Sequence, residues 1–230
     1  MAGSDGEAQD QLVDLGITPD LMEQVPACEA EGIMRAKNAQ PSQFASYWEK
    51  DEADIDHATE EEIKNDPVKR ILWAAENNKL KIVDELLEED LDLVCCVDGD
   101  CYTPLHRAAY GNHREVAEIL IRFGADLEAR TVDGWQPLHS ACFWNCSAVA
   151  ELLIQNGACI NAQTNGHQTP LHLAASQPDN KEVLKLLLMN PDLDANLKND
   201  INETPKDICL RSSNLHYLFE IAEDSINLLR

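Results

Sequence analysis

The stretch Thr103-Pro104-Leu105-His106-Arg107-Ala108-Ala109 decides the fold, because close copies of it return along the chain at a fixed distance. Two copies begin at Gln136 and Thr169, and a degenerate one begins at Thr204. The second residue of each copy is a proline, at positions 104, 137, 170 and 205, which gives spacings of 33, 33 and 35 residues. A heptapeptide that recurs at this period predicts a row of stacked helical units.

The chemistry of the heptapeptide predicts that a helix begins at each copy. The hydroxyl of Thr103 or Thr169 is suited to cap a helix, and the proline that follows needs no acceptor at the first helical position. Asn112 and Asn145 follow these helices where a left-handed residue is needed, and asparagine tolerates that conformation. Three apolar residues of the first copy share one helical face: Leu105, Ala108 and Ala109.

The periodicity divides the chain into a tail and a row of units. We assign residues 1–65 to the tail and 66–230 to the repeats. The first unit lacks the heptapeptide, but its pair Ala74-Ala75 precedes Ala108-Ala109 by 34 residues and is therefore in phase. The predicted units are an N-terminal capping unit, three full repeats and a C-terminal capping unit: 66–98, 99–131, 132–164, 165–199 and 200–230.

Charge distinguishes the tail from the repeats and limits the possible partners. Residues 1–66 hold seventeen acidic and four basic side chains, a composition that predicts a largely disordered segment. The whole chain has 18 basic and 42 acidic residues and a net charge of −24. Because a polyanion would be repelled, direct binding of nucleic acid is not expected, and a basic protein partner is favoured.

The termini and the cysteines indicate a soluble, intracellular protein. The N-terminus has neither a basic nor an apolar signal region, and no run of about 18 apolar residues occurs, so no membrane association is expected. Several of the eight cysteines occupy packing positions of the repeats. We therefore expect reduced thiols rather than disulfides.

Together, the heptapeptides, the runs Gly124-Ala125-Asp126 and Gly157-Ala158-Cys159, and the spacing near 33 resemble the ankyrin-repeat family over about residues 66–230. The resemblance implies an all-α solenoid of helix-turn-helix units with β-hairpin loops. It also implies a non-catalytic protein of the nucleus and/or cytoplasm, associated with control of gene expression and male germ-cell differentiation. We expect a monomer.

Histidine and cysteine clusters have structural explanations in this family. His106, His139 and His172 recur at one period, and the resemblance implies that they form hydrogen bonds between units rather than act as acids or bases. Two groups contain residue types that bind metal ions, but their positions in the units favour packing or turn roles: His139, Cys142 and Cys146, and Cys95, Cys96 and Cys101. No catalytic residue, metal or cofactor is predicted.

The hairpin tips and the first helices form one concave face in the family, and large aromatic residues cluster there in this sequence. Aromatic and arginine side chains commonly anchor interfaces. An alternative explanation is that Trp135 and Phe143 fill gaps between units. We predict a protein partner with a basic or amphipathic segment, which contacts Tyr102, Arg107, Tyr110, Val132, Asp133, Trp135, Phe143, Trp144 and His167.

Two further hypotheses remain open. Asn161, eight residues after Leu153, resembles the ankyrin asparagine that intracellular asparaginyl hydroxylases modify, although Cys159 replaces the usual acidic residue. The predicted function is a protein-interaction scaffold in regulation of gene expression or differentiation. The alternative is a nuclear transcription cofactor that acts through the acidic tail of residues 1–65.

Overall fold

The computed structural model describes residues 60–228 and the side chains of residues 63–222. The prediction for the tail therefore lies almost entirely outside the described residues. A 3-10 helix, Leu91–Cys95, follows the third of eleven α-helices in the described part. The α-helices are α1 Glu60–Asn65, α2 Pro67–Glu76, α3 Leu80–Glu89, α4 Pro104–Tyr110, α5 Arg114–Arg122, α6 Pro137–Phe143, α7 Ser147–Gln155, α8 Pro170–Ser176, α9 Lys181–Leu188, α10 Pro205–Ser212 and α11 Tyr217–Leu228.

The helices begin where the capping residues predict. The hydroxyls of Thr103, Thr169 and Thr204 each accept the backbone N–H three residues on, at 3.3–3.4 Å. The carboxylate of Asp66 caps α2 in the same way, accepting from Val68 N–H at 2.9 Å. Each cap satisfies an N–H that the first turn of a helix leaves without a partner, and the next residue is a proline in all four cases.

The turns between paired helices contain left-handed asparagines. Asn112 has a φ of 56° and Asn145 a φ of 58°, as predicted, and Asn78 occupies the same position in the first unit with a φ of 55°. Among residues with a Cβ, asparagine tolerates this backbone conformation well. The turn before α9 is different, because the inserted sequence around Pro178 replaces the asparagine.

The helices pack in two rows with the apolar core between them. The first helices of the units, α2, α4, α6, α8 and α10, contact one another in sequence, and the second helices α3, α5, α7, α9 and α11 do the same behind them. The leucines of the three heptapeptides, Leu105, Leu138 and Leu171, are fully buried in one continuous apolar cluster. The small residues that follow them let neighbouring first helices approach closely.

The units are connected by tight backbone reversals, here called tips, at residues 98–102, 131–135, 164–168 and 199–203. Thr131 N–H donates to Trp135 O at 2.9 Å, and the side-chain oxygen of Thr131 accepts Trp135 N–H at 3.1 Å. Neighbouring tips are joined by Val132 N–H to Asp100 O and by Asn165 N–H to Asp133 O, both at 3.0 Å. These bonds are too few to form a strand, and none is present over residues 60–228, so the all-helical prediction is confirmed.

Helix α1 has no counterpart in the sequence-based prediction. Its six residues, Glu60–Asn65, fall in the stretch that we assigned to the tail. Three of the six are glutamates and only Ile63 is a large apolar residue, so no periodic pattern marks them as helical. The helix contacts α2 and extends the first unit towards the N-terminus.

Candidate protein-binding face

The motif histidines join each unit to the next one. Thr103 N–H donates to Nδ1 of His106 at 3.2 Å, which requires that Nε2 carry the ring hydrogen. Nε2 then donates to Trp135 O in the following tip, at 3.1 Å. His139 and His172 repeat the arrangement, and their Nε2 atoms reach Gln168 O and Glu203 O at 3.2 Å. Both ring nitrogens of each of these histidines are therefore hydrogen-bonded to backbone groups.

Burial keeps these rings neutral. It lowers the pKa of His106 and of His139 to about 4, and it also lowers the pKa of His172. A buried neutral ring with both nitrogens bonded to the main chain holds two units in register. Because His106 binds the carbonyl of Trp135, it fixes the backbone from which that indole projects.

Four aromatic residues form a continuous row across the second and third units, which we call the aromatic strip. Trp135 contacts Phe143 with ring centroids 5.4 Å apart, and Phe143 contacts Trp144 at 5.1 Å. Trp144 contacts Tyr110 of the preceding unit at 5.0 Å. All three contacts are edge-to-face, the arrangement that aromatic quadrupoles favour. The strip runs from the tip at residues 131–135 to the carboxyl ends of α4 and α6.

The strip is accessible to solvent. Trp144 is exposed over 38% of its surface, and Tyr110, Trp135 and Phe143 are half-buried. The alternative explanation, that Trp135 and Phe143 fill gaps between units, accounts for one side of each ring. The rings therefore combine packing contacts with partial exposure to solvent.

Tyr102 and Arg107 do not belong to this open surface, and the expectation that they lie on it is wrong. Tyr102 is 3% exposed and Arg107 is 5% exposed. The guanidinium donates to Asp98 Oδ2 at 2.7 Å and lies 5.3 Å from the centre of the Tyr102 ring. A carboxylate from the tip folds over the helix and covers both side chains.

Asp98 has a structural role in its tip that the sequence did not predict. Its Oδ1 accepts Asp100 N–H at 3.0 Å and Tyr102 N–H at 2.8 Å, while its Oδ2 binds Arg107. An alignment of the units could have indicated this role. Asp98 is equivalent to Thr131, whose hydroxyl accepts the backbone N–H of Trp135 in its own tip. Through their bonds to Asp98, Arg107 and Tyr102 thus stabilise the tip at residues 98–102.

The remaining predicted residues lie on the tips. Val132 is 60% exposed, and Asp133 is exposed beside it. His167 is exposed in the next tip with a φ of 54°, and its Nδ1 meets the carboxylate of Asp200 from the tip that follows. The structure thus brings Val132 and Asp133 next to the aromatic strip and places His167 one unit further along.

Asn161 lies away from the strip, in the loop after α7. Its side-chain nitrogen donates to Asp192 O at 2.7 Å, and its side-chain oxygen accepts Asp194 N–H at 2.9 Å. Both bonds cross to the loop of the next unit. The amide therefore helps to hold two neighbouring loops together, and modification of Asn161 stays a prediction.

The cysteines occupy packing and turn positions. Cys142 is fully buried, and Cys146 donates its thiol to Tyr110 O at 3.2 Å. Burial raises the pKa of the Cys146 thiol to about 11 and that of Cys96 to about 12. In the part of the chain that the structure describes, no three His, Cys, Asp or Glu side chains are placed to hold a metal ion. No helix in that part is long and apolar enough to cross a membrane.

Comparison with known proteins agrees with this architecture. Residues 71–164 match the family model for ankyrin repeats in three copies, and residues 153–209 match that for ankyrin repeats in many copies. Ankyrin repeat domain-containing protein 49 of Bos taurus is 54% identical over 197 residues, which cover 81% of this chain and 83% of the relative. The proteins of the same name from Homo sapiens and Mus musculus are 59% and 55% identical over 168 residues, 73% of this chain and 70% and 71% of the relatives. The chain belongs to the ankyrin-repeat family.

Proposed function

We propose that this protein is a non-catalytic scaffold that captures a partner protein on the face formed by its tips and first helices. Ankyrin repeats mediate protein–protein binding, so the class of function follows from the family. The location of the site is our proposal. It is carried by one observation, the aromatic strip of Tyr110, Trp135, Phe143 and Trp144, which is continuous over two units and partly exposed.

The strip has the physical properties of an interface anchor. Partly exposed tryptophan and tyrosine rings bury a large apolar area when they are covered, and they lose few rotatable bonds in doing so. Their backbone is held in advance, since His106 binds Trp135 O and Cys146 binds Tyr110 O. A preorganised surface loses less conformational freedom on binding than a mobile one.

The proposal is tested by truncating the exposed end of the strip. Replacing Trp144 with Ala should leave the helical content unchanged and weaken capture of a partner at least tenfold, as expected for an interface anchor worth about 2 kcal/mol. Tyr217 is a matched control, because it is also 38% exposed but lies on α11. Affinity capture with wild type, Trp144→Ala and Tyr217→Ala would be compared for each partner recovered. Equal recovery by wild type and Trp144→Ala would reject this face.

We also propose that the complex acts in the nucleus and/or cytoplasm, in control of gene expression or differentiation. The support is the resemblance to ankyrin repeat domain-containing protein 49 over most of the chain. A fluorescent fusion in germ-line and somatic cells would show the compartment. Transcript profiles after its removal would show whether expression programmes depend on it.

A second candidate function is favoured by the acidity of the N-terminal residues. Seventeen acidic and four basic side chains in residues 1–66 suit a tail that acts as a transcription cofactor through a basic surface of another protein. A reporter assay with full-length protein and a variant that lacks residues 1–59 separates the two functions. Loss of reporter output with unchanged partner capture would favour the tail.

A further inference from the structure

The chain contains two Asn-Gly pairs, Asn156-Gly157 and Asn165-Gly166. Asparagine is a chemically labile residue, and a following glycine makes it more so, because glycine has no Cβ to hinder attack by its own nitrogen on the asparagine amide. The structure places the two pairs in different surroundings. Asn156-Gly157 follows the last residue of α7, whereas Asn165-Gly166 lies in the tip at residues 164–168.

The side-chain amides of the two asparagines are held in similar ways. Asn165 Nδ2 donates to Val132 O at 2.8 Å, and Asn156 Nδ2 donates to Leu152 O, also at 2.8 Å. Each of these bonds must open before the amide can react, so both slow the reaction. They do not distinguish the two sites.

The attacking nitrogen distinguishes them. Gly157 N–H donates to Ile154 O at 3.0 Å, and the φ of Gly157 is 93° in the turn that closes α7. Among residues 60–228, Gly166 N–H donates to no acceptor. The nitrogen of Gly166 can therefore lose its proton and approach the amide of Asn165 without giving up a hydrogen bond of its own.

The tip also leaves space for the reaction. Asn165 is exposed. A methyl group built on Gly166 would meet only Thr164 Oγ1 at 3.9 Å and Asp200 Oδ2 at 4.0 Å. Water and hydroxide therefore reach the pair, and no neighbouring group crowds the attacking nitrogen.

We infer that Asn165 is a site of spontaneous deamidation, while Asn156 is protected by the end of α7. The deprotonated nitrogen of Gly166 forms a bond to Cγ of Asn165, and the amide nitrogen takes up a proton and leaves as ammonia. The product is a cyclic succinimide. One water molecule then adds to either of the two ring carbonyls and breaks its bond to nitrogen, which gives aspartate or isoaspartate. Water is the only co-reactant.

The reaction would alter a joint between two tips. Besides the bond from its side chain, Asn165 donates its backbone N–H to Asp133 O at 3.0 Å. Its amide packs against the preceding tip so closely that a Cβ on Gly134 would lie 2.5 Å from Asn165 Oδ1. The tip at residues 131–135 is thus fitted to an amide at position 165.

Neither product preserves this joint. An aspartate carboxylate has no hydrogen to donate, so it would place an acceptor opposite Val132 O. Isoaspartate adds a methylene group to the main chain before Gly166, which changes the turn that is closed by His167 N–H and Thr164 O at 3.0 Å. Deamidation should therefore loosen the contact between the tips at residues 131–135 and 164–168.

The test ages the full-length protein at mildly alkaline pH and measures aspartate and isoaspartate at both sites by peptide mapping and mass spectrometry. Asn156 is the control within the same molecule. Synthetic peptides of residues 152–161 and 161–170 give the intrinsic rate of each pair, by which the rate in the folded protein is divided. We expect the corrected rate at Asn165 to be at least about fivefold higher, the effect of one hydrogen bond. Equal corrected rates, or a higher one at Asn156, would overturn the inference.

Gly166→Ala tests the attacking nitrogen. The added methyl group fits the tip, since its nearest neighbours are 3.9 Å and 4.0 Å away and Gly166 is not left-handed. The variant should fold as the wild type does and convert Asn165 several-fold more slowly, with no change at Asn156. Unchanged conversion, or a wild-type product that contains aspartate without isoaspartate, would exclude attack by Gly166 and overturn the inference.

Hydrogen exchange tests the effect on the joint. The converted protein should exchange the amide hydrogens of residues 164–168 several-fold faster than the fresh protein, because their bonds to the preceding tip are lost. The amides of α4 are the control and should not change. Equal exchange at residues 164–168 before and after conversion would show that the joint does not depend on the amide of Asn165.

Discussion

The heptapeptide has two roles in the three middle units and one role in the last. His106, His139 and His172 accept the cap N–H through Nδ1 and bind the next unit through Nε2. Asp207 takes the same position in the last unit, where it accepts Thr204 N–H at 2.9 Å and the Thr204 hydroxyl at 2.7 Å. A carboxylate is sufficient there to accept both bonds of the cap. The difference shows that the histidine serves the joint between units, while the cap alone needs only an acceptor.

Lowering the pH should have the largest effect on stability, and it should act mainly through the histidines of the middle units. The pKa of His106 and of His139 is lowered to about 4, so the unfolded chain binds protons near pH 6.5 while the folded chain does not. Stability should be constant above about pH 6.5 and should fall as the pH drops towards 4, by ~3 kcal/mol for each of these histidines. Urea unfolding at a series of pH values would measure it.

Asp207 should act in the same direction, but at lower pH. Its bonds to Thr204 lower the pKa of its carboxyl, so its contribution is present above its unfolded value and is lost as the pH falls further. A stability curve that is flat between pH 7 and 4.5 would contradict the contrast, because it would mean that the histidines titrate equally in both states.

Truncating one middle histidine should have the next largest effect. His139→Ala leaves a cavity in the core and removes the partner of Gln136 N–H, Ala162 O and Gln168 O. We expect a loss of about 3–5 kcal/mol in the free energy of unfolding. Chemical denaturation followed by circular dichroism measures the loss. A loss below about 1 kcal/mol would mean that the joint does not depend on this ring.

The same comparison applies to two ion pairs. Arg107 is buried and pairs with the partly buried Asp98, whereas Arg211 and Glu203 form a more exposed pair in the last unit, with the Arg211 side chain 63% exposed. Arg107→Ala removes the cation beside the partly buried carboxylate and should lower stability by about 3 kcal/mol. Arg211→Ala should change it by less than about 1 kcal/mol. Thermal unfolding of both variants tests the contrast, and equal shifts would refute it.

Loss of the terminal cap should have the smallest effect. Asp207→Ala removes an exposed carboxylate, so solvent can replace its bonds to Thr204. The midpoint of thermal unfolding should fall, but by far less than in His139→Ala. Hydrogen exchange should show faster opening confined to α10 and α11. Opening that spreads to α6 would mean that the last unit holds the middle ones in place.

Much of this architecture follows from sequence because its determinants are local. The Thr-Pro caps and the left-handed Asn112 and Asn145 depend on residues that are neighbours in the chain. The aromatic strip was also predictable, because Tyr110 and Phe143 are 33 residues apart and end equivalent helices. The burial of Arg107 was not, because it depends on a tip carboxylate that folds across the helix.

Two other features lacked a periodic signal. Helix α1 is a six-residue acidic segment whose only large apolar side chain is Ile63, so nothing in its pattern separates it from a solvated tail. Asp179 lies in an insertion that interrupts the alignment of the units, so the hydrogen bond from Asn145 to its backbone oxygen depends on how the inserted loop closes. Non-local contacts of this kind require the folded chain.

Three side-chain hydrogen bonds between neighbouring units end on main-chain oxygens. His106 binds Trp135 O, Cys146 binds Tyr110 O, and Asn180 binds Cys142 O at 2.8 Å. A carbonyl is present whatever side chain its residue bears, so these joints make no demand on the identity of Trp135 or Tyr110. These rings can therefore be exchanged without rebuilding the stack, so the surface of the strip can change while the fold is inherited intact.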